Sequence, residues 1–334
     1  MSEVDDIVAA LRRLGIVPDG VSPPLTRLPG GVSSDVYRLD LPTGPVCVKK
    51  VLAKLNVTAD WRAPVERVHS EAAWFRFADR IMPGHVPTVS AEDRDSHLFV
   101  MNYFDPATHP CWKNLLRDGI VDPAIAANVG EIIARIHRAS AGSNIVQDQF
   151  ATQDFFMALR IDPYLLTAAN AHADRAARIR GIARELGRAR IALMHGDLSP
   201  KNILVGPGGP VILDAETACY GDPAFDLAFC LNHLLLKCIW KPAHTKDYCA
   251  SFAALRDAYL GGVDWEDPQK LERRASALLA ALLLARIDGK SPVEYLTASR
   301  DLDFVRAAAR DYLVQPELTL DAIRQDWERR ALAR

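Results

Sequence analysis

Apolar positions along the chain follow two rhythms. From about residue 25 to 104 they fall in short β-type runs. Val36 to Leu41 and Val46 to Val51 read as strands, and Pro42, Thr43 and Gly44 between them signal a hairpin. Leu98 to Phe104 reads as a further strand, broken by Asp105-Pro106. Only residues 65–80 interrupt this region with helical spacing, placing Val68, Ala72 and Phe75 on one face. After residue 105 the helical period takes over. Ile125, Val129, Ile132, Ile133 and Ile136 form one stripe over 123–139. Residues 163–190 are Ala- and Arg-rich and predict helix, and 225–238 and 268–287 predict Leu-rich helices. A short β-pair, Ile203 to Val205 and Val211 to Leu213, sits among them around Gly206-Pro207-Gly208-Gly209. At the N-terminus, Ser2 and Asp5 have capping-box spacing. Ile7, Leu11 and Leu14 then share a face, and Gly15 ends the helix. The pattern predicts an α+β chain, with a small β-rich lobe over 1–104 and a large helical lobe over 105–334.

Composition narrows the function. A length of 334 residues agrees with two lobes. Lys+Arg 40 against Asp+Glu 42 gives a net charge of −2, which argues against a nucleic-acid partner. The longest largely apolar run, Ala275 to Ala285, lies between Arg274 and Arg286 and is too short to span a membrane. The start of the chain carries Glu3, Asp5 and Asp6 rather than a basic stretch, so no secretory signal is expected. The six cysteines include no Cys-x-x-Cys pair and read as free thiols of a cytoplasmic protein. His109, His172, His233 and His244 lack metal-ligand spacing, and Trp61, Trp74, Trp112, Trp240 and Trp265 read as packing residues.

The candidate chemistry is concentrated in His195-Gly196-Asp197-Leu198-Ser199-Pro200-Lys201-Asn202, followed past the β-pair by Asp214-Ala215-Glu216. The hairpin returns the chain, so Asp214 is expected beside Asn202. One carboxylate and one amide oxygen suit Mg²⁺, a hard ion that takes few protein ligands. One carboxylate is then left to receive a proton from a nucleophile.

This arrangement resembles the catalytic and metal-binding loops of the protein-kinase-like superfamily, and within it the aminoglycoside phosphotransferase and choline kinase group of small-molecule kinases. Gly196 stands where protein kinases carry Arg, and Glu216 where their metal motif ends in Gly; both departures are typical of the small-molecule branch. Gly221-Asp222-Pro223-Ala224-Phe225-Asp226 is also similar to that branch, and the resemblance covers roughly residues 25–235. It implies a bilobal kinase-like fold and transfer of the γ-phosphoryl of ATP, with Mg²⁺, to a hydroxyl of a small molecule. The alternative is a catalytically silent nucleotide-binding regulatory protein of the same fold.

By the same resemblance, Asp197 is the catalytic residue and Asn202 and Asp214 hold the metal. Glu216 either assists the metal or shapes the loop. Val46-Cys47-Val48-Lys49 looks like the strand whose lysine binds phosphates. Strand alternation favours Lys49 over Lys50, and Glu71 is the expected partner of Lys49, with Glu66 the weaker choice. Gly30, Gly31, Ser33 and Ser34 resemble the phosphate-covering loop. Met101 to Phe104 is the expected hinge, with Met101 and Tyr103 at the adenine. His195 and Asp226 are expected to brace the loop. Lys201 is displaced by two from the lysine of protein kinases, which leaves open the cation that joins Lys49 and Mg²⁺ at the moving phosphoryl. The acceptor is not named by the sequence. Residues 111–190 carry 8 acidic against 11 basic side chains, which gives no support for a strongly acidic acceptor wall.

Overall fold

The computed structural model describes residues 3–29, 34–52 and 64–334. Gly30, Gly31, Ser33 and Trp61 lie outside these, so the expected phosphate-covering loop is described only from Ser34 onward. Helix α1 (Glu3–Arg13) leads to strands β1 (Leu25–Arg27), β2 (Ser34–Leu41) and β3 (Gly44–Val51), then helix α2 (Arg67–Ile81), β4 (Val89–Asp93) and β5 (Leu98–Asn102). The strands form an antiparallel sheet in the order β1-β2-β3-β5-β4. β2 and β3 close at Leu41 and Gly44, the predicted hairpin, where Gly44 has φ +120°.

The sheet has two apolar faces because alternate residues point to opposite sides. Val48, Leu98 and Val100 pack with Ile7 and Leu11 of α1. Cys47, Val51 and Phe99 join Phe75 and the main core. Lys49, between Cys47 and Val51, therefore belongs to the face toward α2.

The rest of the chain is mostly helical. It begins with α3 (Trp112–Arg117), α4 (Pro123–Ser140), α5 (Asn144–Gln149) and α6 (Gln153–Phe156). The helix expected over 163–190 is broken: a π-helix, Met157–Leu166, accommodates Pro163 and passes into α7 (Thr167–Ala171) and α8 (Ala176–Arg188). Proline has no N–H for the regular ladder, which accounts for the irregular turn. Strands β6 (Ala192–Met194) and β9 (Cys219–Gly221) pair with each other, as do β7 (Ile203–Gly206) and β8 (Gly209–Ile212). Helices α9 (Ala224–Trp240), α10 (Thr245–Gly261), α11 (Pro268–Asp288), α12 (Ser299–Leu313) and α13 (Leu320–Leu332) complete the chain.

α9 is buried along nearly its whole length, including Asp226, Asn232 and Lys237. One contiguous core joins the sheet, α2 and the helices. The two regions also meet through His85, whose backbone O accepts from Ile212 N at 2.8 Å. All six cysteines are free, and all but Cys111 are buried. Among the described residues no helix is long and apolar enough to cross a membrane.

Candidate active site

The loop that follows β6 is held from below by one carboxylate. Asp226, fully buried in the first turn of α9, accepts from His195 N at 2.6 Å and from Gly196 N at 2.8 Å. Its Oδ2 also lies 3.1 Å from His137 Nε2, and His137 Nδ1 is 2.8 Å from the Tyr259 hydroxyl. Gly196 has φ +79°, and a Cβ there would come within 2.6 Å of Thr217 O. The packing of this loop against Thr217, together with its left-handed backbone, therefore calls for glycine at this position.

His195 is also fully buried, with the Trp74 ring edge-on at 5.0 Å. Asp197 N can only donate, so His195 Nδ1 accepts from it at 3.1 Å, and Nε2 donates to Leu213 O at 2.9 Å. Burial pushes this imidazole's pKa down in spite of Asp226, in keeping with a neutral ring. His195 thus joins Asp197 to the segment that carries Asp214, the packing role expected of it.

Asp197 is 2% exposed. Its Oδ2 accepts from Asn202 Nδ2 at 2.7 Å and lies 3.1 Å from Lys201 Nζ; Oδ1 lies 2.9 Å from an Arg160 guanidinium nitrogen. Burial raises a carboxyl's pKa, but Arg160 and Lys201 outweigh it and hold Asp197 below the usual range. Lys201 therefore reaches Asp197 from four residues away, a direction its sequence position leaves open. Arg160 was not anticipated at all. It is buried in the π-helix and its Nε also donates to Gly196 O at 2.9 Å.

Leu213 N donates to Asn202 O at 2.8 Å, which sets Asp214 beside Asn202 as the hairpin requires. Asp214 has φ +65°, a left-handed backbone that non-glycine residues rarely adopt. Its Oδ1 meets Lys49 Nζ at 2.6 Å, and Lys49 Nζ meets Glu71 Oε1 at 2.8 Å. Burial would lower the lysine's pKa, yet Asp214 and then Glu71 hold it above its usual value. Asp214 is moved the opposite way, below the carboxylate range, where burial is overcome by Lys49. Lys50 lies on the opposite face of β3, across from Asp35.

The remaining expected residues are more dispersed. Ser34 is buried at the start of β2, opposite Val51. Met101 pairs with Cys47 and Phe99 with Lys49, so one strand joins the expected hinge to the lysine. Tyr103 follows β5, with the Arg38 guanidinium 4.8 Å from its ring centre. Glu216 accepts from Arg67 Nε at 3.0 Å, while Arg67 also donates to Leu52 O and Pro64 O. That fully buried arginine ties α2 to the loop after Asp214. Glu66, the weaker candidate for Lys49, lies just before α2.

Mg²⁺ can be tested against the donor set. Asn202 uses Nδ2 for Asp197, and its Oδ1 accepts no hydrogen bond from the described residues. Asp214 has one oxygen on Lys49, and its side chain is 28% exposed. Two hard oxygen donors, just before β7 and just after β8, one partly open to solvent, fit an ion that keeps most of its ligands from water and phosphate.

The protein belongs to the APH phosphotransferase enzyme family, whose model matches residues 24–257. It is similar to a methylthioribose kinase of Pectobacterium atrosepticum, with 27% identity over 268 residues, covering 70% of this chain and 65% of that protein. The chain thus spans just under two thirds of that relative's length. It is also similar to a choline/ethanolamine kinase family protein from Mesorhizobium loti (TM-score 0.51, 20% identity, 97% of this chain and 99% of that chain). An ethanolamine kinase of Plasmodium vivax gives TM-score 0.54 at 12% identity over 98% of this chain and 86% of that one. These two structures share the α+β, kinase-like fold.

Proposed function

We propose that this protein transfers the γ-phosphoryl of ATP to a hydroxyl of a small molecule. The observation that carries this reading is the convergence of Asp197, Asn202, Asp214 and the Lys49–Glu71 pair from four separate segments of the chain. The division into lobes at 104/105 belongs to the same reading, with Met101 and Tyr103 at the adenine and Ser34, with Gly30, Gly31 and Ser33, at the phosphates.

Asp197 accepts a hydrogen bond from the acceptor hydroxyl, orients its oxygen and takes its proton. Arg160 and Lys201 keep Asp197 ionised, and Asn202 fixes its rotamer. Lys49, held by Glu71, binds phosphate oxygens. Mg²⁺ held by Asn202 and Asp214 would neutralise phosphate charge. Glu216 is here assigned to shaping the loop, through Arg67. Positioning and charge stabilisation carry most of the work in such a transfer.

The reading is tested by ADP release with Mg-ATP and a panel of hydroxyl compounds, and by two sets of variants. Lys49→Ala should lower turnover by about a hundredfold or more, the scale of losing one preorganised charge donor. Lys50→Ala should stay within about twofold, the range of substitutions away from such features. Steady-state rates on protein whose fold is verified by circular dichroism decide this, and the reverse order would shift the functional register by one residue. Asp214→Ala should weaken ATP binding in calorimetry only when Mg²⁺ is present. Equal losses with and without Mg²⁺ would make Asp214 a structural residue.

A further inference from the structure

Beside Lys201 lies a small cleft that opens to solvent. Its walls carry Lys113, Lys201, Lys237 and Arg286, with His233 and a single carboxylate, Glu294. Glu294 is paired with Lys113, and Lys201 with Asp197. Lys237 and Arg286 are 1% and 8% exposed, and among the described residues neither has a carboxylate within ion-pair distance. Lys237 Nζ instead lies 5.4 Å from the Trp240 ring centre and 4.9 Å from that of Tyr295. Arg286 donates to Ser291 O and, at 3.2 Å, to the Tyr164 hydroxyl, while its Nε has no partner. The Tyr295 hydroxyl is likewise buried without a partner.

Buried charge without a counter-charge costs stability, so two such cations at one cleft call for an anion. The aromatic faces that could receive a cationic ligand already face the Lys237 ammonium. Burial and the Lys113 charge push the Lys237 pKa down to about 8, with Glu294, held on Lys113, pulling only weakly the other way. An anion in the cleft would reverse that push. Lys201 lines the cleft and touches Asp197, so a group bound there lies within one side chain's reach of that carboxylate.

Resting on the phosphotransfer reading, we infer that the cleft binds an anionic group of the acceptor: a small hydroxyl compound bearing a carboxylate or phosphate, held by Lys237 and Arg286 with its hydroxyl toward Asp197. The Tyr295 hydroxyl is a further donor to the same group. The role of Trp240 thus extends from packing to flanking the lysine that binds substrate.

The test uses one scaffold in four charge forms: glycerol, glycerate, glycerol phosphate and aminopropanediol, with glucose, glucuronate, glucose phosphate and glucosamine as a second set. Each is titrated calorimetrically into the full chain, with and without a non-hydrolysable ATP analogue and Mg²⁺. Within at least one set an anion should bind about tenfold or more tightly than its neutral parent, and the amine most weakly. The carboxylate and phosphate arms distinguish the two sources of charge. Lys237→Met should abolish the preference while melting no lower than wild type, because it removes an unpaired buried charge. Arg286→Gln provides an independent loss of the same preference. Neutral or amine members binding as tightly as the anions would overturn the inference, as would an anion preference that survives both substitutions. ADP release with neutral or amine compounds alone would also overturn it, while leaving phosphotransfer standing. Anion preference without ADP release would support the cleft assignment and count against phosphotransfer alone.

Discussion

Asp197→Asn is expected to lower phosphoryl transfer by about 10²–10⁴-fold, the range for loss of a general base, with Mg-ATP affinity near wild type. The amide keeps the shape of the side chain but cannot take a proton from the acceptor. Asn is the informative choice because Ala would also empty a buried site surrounded by Arg160, Lys201 and Asn202. Nucleotide affinity should survive because the residues proposed to face phosphate and metal are Lys49, Asn202 and Asp214. Rates from ADP release and affinities from calorimetry separate the two effects. Turnover above a tenth of wild type would remove Asp197 from the chemical step.

The largest effect on stability is expected at Asp226. This fully buried carboxylate accepts two backbone N–H groups of the loop that follows β6 and faces His137. Removing one member of a buried charged network costs about 3–5 kcal/mol. For a chain of this size that lowers Tm by roughly 4–7 °C. Asp226→Asn should fail to restore it. An amide has one oxygen, so its NH₂ would oppose one of the two N–H donors, and an unsatisfied buried donor is costly. Turnover should fall as well, since the loop that carries Asp197 loses its anchor. Differential scanning fluorimetry on Asp226→Ala and Asp226→Asn checks this. A wild-type Tm for the Asn variant would mean that shape, rather than charge, matters at this position.

The site was legible in the sequence where a local period or spacing fixes direction. Alternation along β3 separated Lys49 from Lys50, and the turn between β7 and β8 returned Asp214 to Asn202. Helical spacing places Val68, Ala72 and Phe75 on one face of α2, while Glu71 is named as the partner of Lys49 by the family resemblance, and the two side chains meet at 2.8 Å. Arg160 escaped because it is one of 11 basic residues in an Arg-rich stretch, and a π-helix around Pro163 has no simple period. Arg67 escaped for a related reason: nothing local marks a residue whose partner, Glu216, is 149 positions away. The offset of Lys201 relative to protein kinases leaves its direction open, and the short turn Pro200–Asn202 brings its ammonium back to Asp197. In the fold, β4 was missed because Ser90, Glu92 and Asp93 give it a polar pattern; pairing with β5 makes it a strand. The cationic cleft depends on side chains from α3, α9, α11 and the catalytic loop, and no single segment announces it.

The central claim is transfer to a small-molecule hydroxyl, and mass spectrometry of the reaction products tests it most directly. Purified protein with Mg-ATP is incubated with a library of free hydroxyl compounds and, separately, with peptide and protein libraries. The account predicts ADP matched mole for mole by a phosphorylated small molecule, lost in Asp197→Asn, with no phosphate on any peptide. Phosphopeptides with a silent metabolite library would contradict it, as would tight Mg-ATP binding with no phosphorylated product of any kind.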